Sequence, residues 1–141
     1  MMSFQNYYGY DFRRNMNVSW SDYGKYATDI FTDEATKAIK TMNKTQPLFL
    51  YLAHLAVHSP LQAPKEIIEM FEKTILDPKR QIFAAMLYKL DESVGKVVTA
   101  LKENNMLEDS IIVFTTDNGG PASGFNGNAA SNFPLKGVSF I

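Results

Sequence analysis

The chain has 141 residues, enough for one domain with a core, and its 45% apolar and 21% charged content is that of a folded soluble protein rather than a disordered one. A net charge of −1 with scattered basic residues offers no electrostatic footprint for nucleic acid or an anionic membrane surface. Cysteine is absent, which excludes disulfides, thiolate metal sites and a cysteine nucleophile within this sequence.

Residues 1–27 are polar, aromatic and aperiodic, and are expected to be irregular; residues 28–141 are expected to form the α/β domain. The first ten residues hold no apolar core of a signal peptide, and the longest apolar run, Leu48 to Ala53, is far shorter than the roughly 20 residues of a membrane span. Two sequons, Asn17-Val18-Ser19 and Asn43-Lys44-Thr45, hint at a secretory, glycosylated origin.

A helix is predicted from Thr32, a capping residue followed by Asp33 and Glu34. Ala35, Ala38, Ile39 and Met42 then fall on one face. Gln46-Pro47 ends it. Leu48-Phe49-Leu50-Tyr51-Leu52-Ala53 follows, apolar without alternation, as in a strand covered on both faces of a parallel sheet. Residues 54–64 form a loop with two histidines and two prolines, and Pro64 opens a short helix reaching Phe71.

The strongest helical signal begins at Asp77-Pro78, an N-cap and first-turn pair. Ile82, Met86, Leu90, Val94, Val97 and Leu101 make the apolar stripe, with Lys89, Glu92, Lys96 and Glu103 opposite, and Asn104-Asn105 at the end. Ile111-Ile112-Val113-Phe114-Thr115 is a second strand by its β-branched content, stopped by Asp117-Asn118-Gly119-Gly120-Pro121. The remainder is loop.

Strand, long helix and strand form a βαβ unit. Its two strands end on one edge of the sheet, where open α/β folds bind ligands. His58 and the Asp117-Asn118 pair each lie just past a strand end, so they are expected on a common rim. Asp117 and Asn118 supply oxygen donors of the kind Ca²⁺ or Mg²⁺ takes, although an Asn-Gly turn uses the same residues. His58, between Val57 and Ser59-Pro60 in a proline-stiffened loop, can serve acid–base or anion-binding chemistry, or be an ordinary loop histidine. His54 is expected to be structural and hydrogen-bonded. Lys136 can offer a cation to an anion, or be a solvated lysine.

Together, Pro47–Ala53, His58-Ser59-Pro60-Leu61-Gln62-Ala63-Pro64, Asp91-Glu92-Ser93-Val94-Gly95, Thr116-Asp117-Asn118-Gly119-Gly120 and Asn132-Phe133-Pro134-Leu135-Lys136-Gly137 occur in the order and spacing of sulfatases. The chain resembles that family over about residues 24–137, most of all arylsulfatase B and its I and J relatives.

The resemblance implies a partial alkaline-phosphatase-like α/β domain with parallel buried strands and flanking helices. It implies hydrolysis of sulfate esters, on aryl sulfates or sulfated glycosaminoglycan sugars, with one Ca²⁺ ion, in a lysosomal or secreted enzyme. By motif, Asp117 and Asn118 match metal ligands, and His58 matches the histidine near the leaving oxygen of the ester. The segment bearing the formylglycine-forming cysteine has no counterpart here, nor has the family's early Asp-Asp metal pair. Lys136 stands at an arginine position and Ser139 at that of a sulfate-binding lysine. The expectation is an internal part of such an enzyme, inactive by itself. The alternative is a non-catalytic module that binds a sulfated glycan or a protein.

Overall fold

The computed structural model describes residues 9–121 and 129–135; Lys136 and Ser139 lie outside them. The chain opens with a two-residue antiparallel hairpin, β1 (Arg13–Arg14) and β2 (Asn17–Val18), paired Arg13 to Val18 and Arg14 to Asn17. Asn15 turns it with a φ of 53°, a left-handed conformation asparagine tolerates better than most residues. A 3₁₀ turn, Trp20–Asp22, follows. Asp22 is buried and collects the Ser19 hydroxyl (2.6 Å), the Arg14 guanidinium (2.9 Å) and the Lys25 ammonium (3.3 Å). Arg14 also bonds Glu34, so the hairpin is tied to the first long helix.

That helix, α1 (Ala27–Thr41), has its N-cap at Tyr26, six residues before the predicted cap Thr32. Thr32 is not a cap. Its hydroxyl reaches back 2.6 Å to the Thr28 carbonyl, which satisfies it inside the helix. Thr28, Thr32, Ala35 and Ile39 are buried at the four- and three-residue steps of one face, and that face meets α3.

Pro64 precedes the short α2 (Lys65–Glu69). The long helix, α3 (Pro78–Glu103), starts as its sequence predicts: Asp77 accepts from the Arg80 N–H at 2.9 Å, and Pro78 occupies the first turn. At its end Asn105 takes a φ of 56°. The Met106 N–H then reaches the Leu101 carbonyl at 2.9 Å and the Asn105 N–H the Lys102 carbonyl at 3.1 Å, a Schellman closure. The core lies between α1 and α3, where Ile39, Ala100 and Leu101 are buried with Val97, Met106 and Leu107 against them. Lys89, expected on the solvent face, is instead nearly buried. It pairs with Asp29 of α1 at 2.7 Å and with Glu92, which keeps its charge compensated.

The two predicted strands need correction. Residues 48–53 and 111–116 lie in no helix or strand, and no backbone group of 48–53 or 111–114 is hydrogen-bonded to another described residue, so neither is part of a ladder. Nor are they covered on both faces. Leu50 and Leu52 line a small gap with Phe31, Ala35 and Ala38 of α1, whereas Phe49 and Tyr51 point away and are 89% and 81% exposed. Helices cover one face only, and an apolar run alone does not report that a second covering layer is present.

Candidate functional site

Both segments line one large cleft of about 2130 Å³. His58, Asp117 and Asn118 are all among the residues that line it. Its floor is the apolar stripe of α3, including Phe83, Met86, Leu90 and Val94.

His58 sits on an exposed loop that carries cis peptide bonds at Ala56-Val57 and Ser59-Pro60. The loop is closed by the His58 N–H on the Leu55 carbonyl at 2.9 Å. The ring Nδ1 lies 2.6 Å from the Ser59 carbonyl. A carbonyl only accepts, so Nδ1 carries the proton, and Nε2 is the atom left to meet a ligand. In the neutral ring Nε2 is an acceptor. Only the imidazolium donates from it.

Asp117 and Asn118 are exposed. The Asn118 N–H donates to Asp117 Oδ1 at 2.9 Å, and the Asn118 amide nitrogen donates to the Gly119 carbonyl at 2.9 Å. The Thr116 hydroxyl donates to the Asn118 carbonyl at 2.9 Å. These bonds leave Asp117 Oδ2 and Asn118 Oδ1 without a partner among the described residues. Those two oxygens suit a hard cation in kind, but Ca²⁺ takes six to eight. Among the described residues no three His, Asp or Glu side chains gather as a ligand set. The pair therefore fits part of a Ca²⁺ shell.

Asn132 supports the turn. Its side chain accepts from the Gly120 N–H at 3.0 Å and donates to the Gly120 carbonyl at 2.8 Å, a reciprocal clasp between two loops. Nothing local in the sequence announces this contact.

His54 lies behind the rim. Its Nε2 is 3.1 Å from the Ser93 hydroxyl of α3, and Phe31 lies beside its ring. Burial holds its pKa below the usual histidine value, so the ring is kept neutral. Its Nδ1 is buried with no partner among the described residues.

The fold is that of a sulfatase-family domain. The sulfatase family model matches residues 2–138, and the chain belongs to the sulfatase family. It is 43% identical to mouse arylsulfatase J over 131 residues, 92% of this chain and 21% of the relative. It is 28% identical to human N-acetylgalactosamine-6-sulfatase over 108 residues, 77% of this chain and 19% of the relative. The crystal structure of Ps i-CgsB superposes with a TM-score of 0.71 and 46% identity, covering 79% of this chain and 24% of that one; the same protein is solved in complex with k-i-k-neocarrahexaose. The chain thus spans about a fifth of the length of these two curated relatives.

Among the described residues no helix is long and apolar enough to cross a membrane.

Proposed function

We propose that residues 28–141 carry one rim of a sulfatase active site, with His58 facing the ester and Asp117 and Asn118 facing a Ca²⁺ ion. The observation that carries this is the shared cleft lined by all three side chains. When bound, the ion would neutralise the charge on the sulfate oxygens. The protein's own part is positional. The Ser59 carbonyl fixes the His58 tautomer, so a protonated ring aims Nε2–H outward, where it can give a proton to the departing ester oxygen. Sulfur–oxygen cleavage leaves an alcohol and needs that proton.

The N-acetylgalactosamine-6-sulfatase relatives and the k-i-k-neocarrahexaose complex of the structural neighbour support a sulfated sugar as the substrate class. A secretory or lysosomal setting follows by the same analogy. The chain contains no cysteine, so it has no formylglycine precursor, and we take it to be inactive alone.

Titration of the full chain with Ca²⁺ and 4-nitrophenyl sulfate, followed residue by residue by NMR, tests the reading. Weak binding that perturbs His58, Asp117 and Asn118, and that Asp117→Asn and His58→Gln each abolish for their own ligand, supports it. Perturbations confined to other surfaces refute the site assignment. Release of sulfate by the chain, lost on His58→Ala, refutes the inactivity.

A further inference from the structure

We infer that Asn43 is the residue at which this chain accepts an N-linked oligosaccharide, and that folding withdraws the other sequon, Asn17-Val18-Ser19, from the same reaction. Transfer needs an amide nitrogen that a transferase can reach, a hydroxyl two residues on that is free to be engaged, and a surface backbone that can be drawn into the enzyme. Both sequons offer these residue types, but the structure holds them differently.

Asn43-Lys44-Thr45 forms an exposed turn directly after the Met42 C-cap of α1. The Gln46 N–H closes the turn on the Asn43 carbonyl at 3.0 Å. Within it, Asn43 Oδ1 accepts the Thr45 N–H at 3.1 Å and the Thr45 hydroxyl at 2.9 Å, and Nδ2 is left with no partner among the described residues. These bonds are local and exposed, so a transferase can take over the hydroxyl with little loss. Met42, Lys44 and Gln46 line the cleft, whereas Asn43 and Thr45 do not. A glycan on Asn43 therefore starts outside the wall shared with His58, Asp117 and Asn118.

Asn17-Val18-Ser19 is bound into the hairpin. Asn17 and Val18 are β2, paired with Arg14 and Arg13. Ser19 is 6% exposed, and its N–H bonds the Phe12 carbonyl at 2.9 Å. Its hydroxyl donates to Asp22 Oδ2 at 2.6 Å and accepts from Arg14 Nε at 3.2 Å. Offering that hydroxyl to an enzyme means opening the hairpin and stripping a buried carboxylate of a charge-assisted bond.

The step joins Asn43 Nδ2 to the anomeric carbon of an oligosaccharide carried on a lipid pyrophosphate. The carbon–oxygen bond to the pyrophosphate breaks, its electron pair leaves with the lipid pyrophosphate, and the Nδ2 proton passes to a base of the transferase. In a cell this rests on the secretory setting proposed above; the choice of Asn43 over Asn17 rests on geometry alone.

The experiment incubates the purified 141-residue chain with a single-subunit oligosaccharyltransferase and its lipid-linked oligosaccharide, and reads each sequon by glycopeptide mass spectrometry. Modification of Asn43 is expected to exceed that of Asn17 by about tenfold or more, because freeing the Ser19 hydroxyl breaks a buried charge-assisted bond. Asn43→Gln and Thr45→Ala are each expected to remove the glycan and Asn17→Gln to leave it unchanged, with slow amide exchange in α1 and α3 showing that all three variants fold. Free peptides spanning residues 13–23 and 39–49 are both expected to be modified, which assigns the contrast to folding. The inference is overturned if Asn43 of the folded chain stays unmodified, if Asn17 reacts as readily as Asn43 there, or if the 13–23 peptide is inert. The response of His58 to 4-nitrophenyl sulfate is expected to be the same in the glycosylated and bare chains. Its loss in the glycosylated chain alone would overturn the placement of the glycan outside the cleft. A missing response in both would count against the sulfate-ester site and leave the acceptor assignment standing.

Discussion

Thr32 and Ser93 stand 61 residues apart in sequence, and their hydroxyl oxygens are 2.6 Å apart in the buried seam between α1 and α3. Ser93 also meets His54 Nε2 at 3.1 Å, so one hydroxyl joins both helices to the segment that leads into the His58 loop. Ser93→Ala should destabilise the chain by about 1–3 kcal/mol, because it leaves buried polar partners unpaired. Urea unfolding measures this. Adding His54→Leu should recover part of the loss, since the stranded imidazole is then gone; strictly additive effects would show that the two residues do not interact.

The pH dependence of stability follows from the same histidine. Burial lowers the folded pKa of His54 below its unfolded value of about 6.5, so the unfolded chain binds the proton more readily. Its neutral-state contribution is complete above that value and is lost as pH falls below it. Denaturation midpoints should therefore decline from pH 7 towards pH 5, and the decline should be shallower in His54→Leu.

Asp22 produces a second acid limb at lower pH. The Ser19 hydroxyl, then the Lys25 and Arg14 cations, hold its carboxyl below the usual value near 3.8, against the opposing effect of burial. The carboxylate stabilises the fold above that value, and its contribution disappears as pH falls through the lowered folded pKa. Asp22→Asn should lower Tm at pH 7 and flatten the loss below pH 4. Melting curves across that range check both.

Ile39 is fully buried at the centre of the α1–α3 core. Ile39→Ala should cost about 2–5 kcal/mol in urea unfolding, as large-to-small core substitutions do. Ile39→Val should cost about 0.5–1.5 kcal/mol. A negligible effect from both would mean that the two helices are held by something other than this core.

What the sequence discloses depends on how far each interaction reaches. The start of α3 is local: Asp77 caps a backbone three residues on, and the pattern Asp-Pro states it. The boundary of α1 is not, because Thr32 looks like a cap until Ser93 and the Thr28 carbonyl take its hydroxyl. Lys89 fails for the same reason, since a lysine belongs on the solvent face unless Asp29 of another helix waits for it. The strand-like composition of 48–53 and 111–115 is plain, but whether a strand has neighbours is decided by other chain segments. His58, Asp117 and Asn118 each stand just past an apolar run in the sequence, and all three line one cleft. The Asn132 clasp on Gly120 carried no such signal.

The contact between His54 and Ser93 also bears on how the rim would receive a ligand. Four positions upstream of His58, the His54 side chain is pegged to the long helix, so the loop departs from a fixed point. Much of the disorder that a free loop would surrender on capturing an anion is thereby already lost when the domain folds. A chain without that peg should meet its ligand more slowly and hold it more loosely, even with every rim side chain intact.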